Sequence, residues 1–128
     1  MKILKTILLS LSIAASMSAV STSALAETDK GRVTYLPAEA IDITTAKIKT
    51  ALDAATSGSE GVKVADLIKD ASDSSKEINA NDKVDNARSK ANAKLKSAGK
   101  HARESALQEA EQELKEAMKM FEALKSLI

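Results

Sequence analysis

The 128-residue chain has no cysteine and no tryptophan, and only one proline, one histidine, one tyrosine and one phenylalanine. Without cysteine there can be no disulfide, no thioether-linked haem and no thiolate metal site. Two aromatic rings, Tyr35 and Phe121, cannot build the stacking platform that bases or sugars need. A phosphate-cradling loop is missing as well, since Gly58-Ser59-Glu60-Gly61 lacks both the lysine and the preceding strand. His101 stands alone with no flanking loop to form an oxyanion hole, so Ser-His-acid chemistry is not expected and the protein reads as non-catalytic. A net charge of +1 gives no general attraction to nucleic acid or anionic lipid.

What the chain does have begins with an export pattern. Lys2 and Lys5 flank a short apolar run, Ile7 to Ala15, and Ala24-Leu25-Ala26 has the small-x-small form of a cleavage site. Serines break the run, which falls short of the roughly 20 residues that span a bilayer. Residues 1–26 are therefore expected to be a cleaved signal peptide. The mature chain then starts at Glu27, in the periplasm, with no stable membrane insertion. Losing Lys2 and Lys5 takes the net charge to −1. Residues 27–36 are polar and are expected to form a flexible leader.

From residue 37 onwards the apolar residues recur at helical spacing, and alanine, the best helix former, supplies most of them. One stripe is Ile41, Thr44 or Thr45, Ile48, Leu52 and Ala55, with Pro37 suited to the first helical turn. A second is Val64, Leu67 or Ile68, Ala71, Ser75 and Ile78, preceded by Ser57 and Glu60 at capping-box spacing. After the turn cluster Asn79-Ala80-Asn81-Asp82, in which Asp82 is placed to cap, comes Val84, Ala87, Ala91, Leu95 and Ala98. The fourth stripe is Ala106, Ala110, Leu114, Ala117, Phe121 and Leu124. The third and fourth cannot share one straight helix: Ala98 and Ala110 are about 120° out of phase at about 100° per residue. A break is expected between Gly99 and His101.

The resulting fold class is all-α, an antiparallel up-down-up-down four-helix bundle over residues 37–128. Charge agrees: Lys83 to Arg103 holds seven basic residues and one acid, between helices rich in Asp and Glu. Leu67-Ile68-Lys69-Asp70-Ala71 also aligns with Ala106-Leu107-Gln108-Glu109-Ala110, a trace of two duplicated hairpins.

Asp66, Asp70, Asp73 and Glu77 follow i, i+4, i+7, i+11, so four carboxylates share one helical face, as a hard cation such as calcium would require. Lys63, Lys69 and Lys76 interleave, which is equally the pattern of a solvated face. Glu109, Glu113 and Glu116 repeat the spacing on the fourth helix. His101 offers imidazole to copper, nickel or zinc, with Glu104 one turn on as a candidate second ligand. Met118 and Met120, two apart, point to different faces and do not form a thioether site.

The chain resembles the small metal-binding protein family in Gly58-Ser59-Glu60-Gly61 between the first two helices, in Leu67-Ile68-Lys69-Asp70-Ala71 after it, and in the polar turn from Asn79 to Asp82. The resemblance spans roughly Ile41 to Leu124. It implies an exported four-helix bundle that binds divalent metal, notably copper, through histidines along the helices. This chain departs from that pattern: Asp70 and Glu109 stand where histidines are expected, and Val62 follows the first junction. Two functions follow as expectations. One is buffering of divalent cations by surface carboxylates and His101; the other is a metal-free helical interaction or chaperone-like envelope module that presents an amphipathic surface to protein partners or the cell envelope.

Overall fold

The computed structural model describes residues 34–128, and every regular element among them is helical. They are α1 (Pro37–Thr56), α2 (Gly61–Ser75), α3 (Asp82–Arg103) and α4 (Leu107–Ala123), closed by a 3-10 turn at Leu124–Leu127. The expected signal peptide, 1–26, and residues 27–33 of the expected leader lie outside the described residues. Tyr35–Ile128 forms one compact unit. Tyr35 is half-buried and packs against the core, so this end of the leader is anchored rather than loose.

The four stripes meet in one core. Each helix packs on two others: α1 on α2, α2 on α3, α3 on α4 and α4 back on α1. Ile41, Ile48, Val64, Ile78, Val84, Leu95, Leu114 and Phe121 are fully buried, and alanines between them let the helix axes approach. The buried hydroxyls are satisfied: Thr44 Oγ1 donates to the Ala40 carbonyl (2.9 Å), Ser72 Oγ to Asn92 Oδ1 (2.6 Å) and Ser75 Oγ to the Ser72 carbonyl (2.7 Å). No described helix is long and apolar enough to cross a membrane.

Helix ends show where the expected caps shift. Pro37 is indeed in the first turn of α1, after Leu36. Ser57, expected to open α2, instead ends α1: Gly58 adopts φ +80°, its N–H reaches Ala55 O, and the Ser59 N–H reaches Ala54 O. These two bonds form a Schellman motif, in which the left-handed position favours glycine. Glu60 therefore precedes α2 without a side-chain cap. Before α3 the cap is Asn81, whose Oδ1 accepts from the Val84 N–H (3.0 Å), and Asp82 becomes the first helical residue.

Gly99 does not break the chain. It is buried inside α3, and the break comes at Ser105, which takes φ +64°. There the Ser105 N–H reaches Ala102 O (3.0 Å) and the Ala106 N–H reaches His101 O (2.8 Å), the same motif as at Gly58 but with serine in the left-handed position. The two junctions do not follow the register of the duplication alignment, which pairs Asp70, deep in α2, with Glu109 in the first turn of α4.

The second glycine of Gly58-Ser59-Glu60-Gly61 has a separate role. A Cβ on Gly61 would lie 2.1 Å from the Ala102 carbonyl oxygen and 3.6 Å from Ser105 Cα. The start of α2 and the end of α3 thus approach backbone to backbone, a distance only glycine permits.

Candidate functional site

His101 sits in the last turn of α3, and Ser97 is one turn before it on the same side. Both meet Glu113 from the middle of α4. His101 Nδ1 lies 2.6 Å from Glu113 Oε1, and Ser97 Oγ donates to Oε2 at 2.6 Å. An ionised carboxylate only accepts, so Nδ1 carries the proton in this hydrogen bond and Nε2 is left over. The Glu113 side chain is 16% exposed and that of His101 34%. Desolvation pushes the Glu113 pKa up, but hydrogen bonds from Ser97 and His101, helped by the charges of His101 and Lys94, outweigh it and hold the carboxyl below its ordinary value. One helical turn further along, Lys94 pairs with Glu116 at 3.5 Å.

His101 and Glu113 open onto a cleft of about 390 Å³ whose other walls are Gln108, Glu109 and Gln112. Two carboxylates against one imidazole bias it negatively. Glu109, one of the expected ligands, lines the same cleft as His101. Glu104, the other expected neighbour, is not: it is the exposed residue that ends α3, and its backbone N–H bonds to the Lys100 and His101 carbonyls. Sequence reasoning placed Glu113 only in a repeating acid pattern and missed Ser97, because their meeting with His101 crosses from one helix to the next.

The carboxylate ladder of α2 is dispersed by lysines. Asp70 pairs with Lys47 of α1 at 3.2 Å. Asp73 takes Lys69 at 2.8 Å and Lys76 at 3.1 Å. Those two hydrogen bonds lower the Asp73 pKa, and the bond to Asp73 raises that of Lys69. Asp66 is exposed on α2. Glu77 lies past the helix end at Ser75 and lines a different, smaller cavity with Tyr35, Lys47 and Ser74. Among the described residues no three His, Cys, Asp or Glu side chains are grouped so as to hold a metal ion. The i, i+4, i+7 spacing that aligns carboxylates also puts Lys69 and Lys76 within reach of them, and ion pairing uses the face that a cation would need.

No protein-family model, curated protein or solved structure matches this chain.

Proposed function

We propose that this chain is a non-catalytic, exported helical protein of the small metal-binding type, and that its cation site is the His101 cleft rather than the acidic face of α2. The observation that carries this reading is Glu113 holding Nδ1 at 2.6 Å. A carboxylate on one ring nitrogen fixes the tautomer and raises the basicity of the other, the usual outer-shell arrangement of a metal-binding imidazole. Nε2 and the oxygens of Glu109 and Gln108 are the donors on offer, a mixed set that suits copper, nickel or zinc better than calcium. One imidazole makes the site weak, in keeping with buffering rather than tight storage.

The scaffold is proposed to be an antiparallel up-down-up-down bundle. Cross-helix pairs support it, because as one number rises its partner's falls: between α2 and α3, Ser72 meets Asn92 and the Ser75 carbonyl meets Arg88, and between α3 and α4, Lys94 meets Glu116 and Ser97 meets Glu113. Export rests on the sequence of residues 1–26, and mass spectrometry of the secreted chain should find Glu27 at its start.

Calorimetric titration with Cu²⁺, Ni²⁺, Zn²⁺ and Ca²⁺ tests the site. Copper heat is expected, lost in His101→Ala and weakened about tenfold in Glu113→Gln, the size of an outer-shell loss. Heat that survives His101→Ala unchanged refutes the assignment, as does no heat at millimolar metal. The lysine-paired carboxylates of α2 favour a second reading, a metal-free interaction module, which that last result would leave standing.

A further inference from the structure

We propose that the groove between α2 and α3 is a binding site for a small soluble oxyanion of the phosphate class, held by Lys96 and Arg103 over a floor that Gly99 keeps open. The groove encloses about 270 Å³, and its rim carries Lys69, Lys76, Lys96 and Arg103 against one acid, Asp73. Asp73 is shared by Lys69 and Lys76. Among the described residues the side chains of Lys96 and Arg103 have no ion-pair or hydrogen-bond partner. Arg103 is close enough that its charge opposes protonation of Lys69. Four cations around one carboxylate repel one another and gain from an anion placed between them. The guanidinium fork fits the oxygens of a phosphate two at a time, and lysines add point charges beside it.

Gly99 supplies the independent observation. A glycine inside a helix costs about 1 kcal/mol relative to alanine. At Gly61 the close backbone of Ala102 explains such a residue, but at Gly99 nothing does. A Cβ there would meet Ile68 Cγ2 at 3.5 Å and Arg103 Nη1 at 3.8 Å, both ordinary contacts. Packing therefore accommodates a methyl group that the sequence withholds, and that methyl would lie against Ile68 and Arg103, two residues that line the groove together with Gly99. The size of the groove favours a compact solute over a macromolecular surface. The site is separate from the His101 cleft and does not depend on metal binding there.

The test is a titration of the purified full chain with inorganic pyrophosphate, read by backbone amide NMR shifts at low salt. Saturable shifts confined to residues 68–76 and 96–103 are expected. Lys96→Ala with Arg103→Ala should weaken binding about tenfold or more, the value of charge-assisted hydrogen bonds. Gly99→Leu fills the floor without changing charge and should weaken it to a similar degree. Should that variant not fold, Gly99→Ala keeps the test open, with affinity down about twofold to threefold while thermal stability rises. His101→Ala and Lys119→Ala, the latter on exposed α4 surface, should bind as the parent does. Shifts spread over all lysine-bearing surfaces without saturation would overturn the proposal, and so would indifference of binding to Gly99. Groove-dependent binding to phosphatidylglycerol vesicles with none to pyrophosphate would also overturn it, in favour of a membrane headgroup.

Discussion

Replacing Gly61 by alanine should destabilise this protein while the same change at Gly99 does not, and the reason is geometric. The added Cβ would lie 2.1 Å from the Ala102 carbonyl oxygen, whereas a carbon approaches a carbonyl oxygen at about 3.3 Å. The end of α3 must then withdraw from the start of α2 by about an ångström, and both partners are backbone, so no rotamer change relieves the clash. Overpacking of this kind costs about 1–3 kcal/mol or more. Alanine's helix preference returns only part of that at a first-turn position, leaving a net loss of about 1–2 kcal/mol. For a domain of this size that is about 5–15 °C in Tm, and a substantial share of a total stability of about 5–15 kcal/mol. Gly99→Ala is the matched control. Its nearest neighbour would be a side-chain carbon at 3.5 Å, so it should stabilise by about 0.5–1 kcal/mol. With no tryptophan to report unfolding, urea and thermal melts are best followed by far-ultraviolet circular dichroism. If Gly61→Ala is as stable as Gly99→Ala, the close approach of the two junctions is wrong.

Three further outcomes are expected. Ser105 holds φ +64°, a conformation that costs a non-glycine residue about 1–2 kcal/mol, so Ser105→Gly should raise stability by about 1 kcal/mol in urea melts. Asn81→Ala removes the α3 cap and its bond to the Leu127 carbonyl and should cost about 1 kcal/mol in the same assay. The Glu113 carboxyl is held below its ordinary pKa in the folded protein. Its stabilising contribution is therefore fully present above the unfolded value of about 4.3 and disappears as pH falls from there through the lower folded value. Glu113→Gln should flatten that acidic limb of the stability–pH curve and leave the neutral region lowered but parallel; an unchanged acidic limb would contradict the assignment.

Helix existence and the core were legible because they are one-dimensional properties. Every stripe residue from Ile41 to Leu124 needed only a period of 3.6, and the buried set follows those stripes closely. The position of the turn was legible where glycine marked it, at Gly58, although the capping box expected there did not form, and it was illegible where serine took the left-handed position, at Ser105. The phase change between the third and fourth stripes does require a break, but phase alone locates it only to within a few residues, between Gly99 and His101 rather than at Ser105. That shift of a few residues had a consequence for the site. Ser97 and Glu113 are equally distant from Ser105 along the chain, so they face each other only when the turn is placed there. With the turn at Gly99, His101 falls in the loop and Glu104 becomes its natural neighbour. The acidic face of α2 misled for a different reason: spacing shows which carboxylates share a face but not that Lys47, from α1, reaches over to Asp70.

α3 carries both candidate sites, and helix phase explains why they do not interfere. At about 100° per residue, Lys94, Ser97 and His101 fall on one side and Lys96, Gly99 and Arg103 on the other, with the buried stripe of Ala91, Leu95, Ala98 and Ala102 between them. The first side meets α4 through Glu113 and Glu116, and the second borders the groove with α2. A basic helix between two acidic ones thus presents two different margins: one closed by carboxylates, the other left with cations in excess. The stripe between them consists of packed apolar side chains, which pass on little charge information but would pass on strain. Glu113→Gln and Lys96→Ala share no partner across that stripe, so their effects on unfolding free energy should add to within about 0.5 kcal/mol. A double-mutant cycle showing coupling above that level would mean that the two margins of α3 are linked through the core, and that the cleft and the groove act as one site.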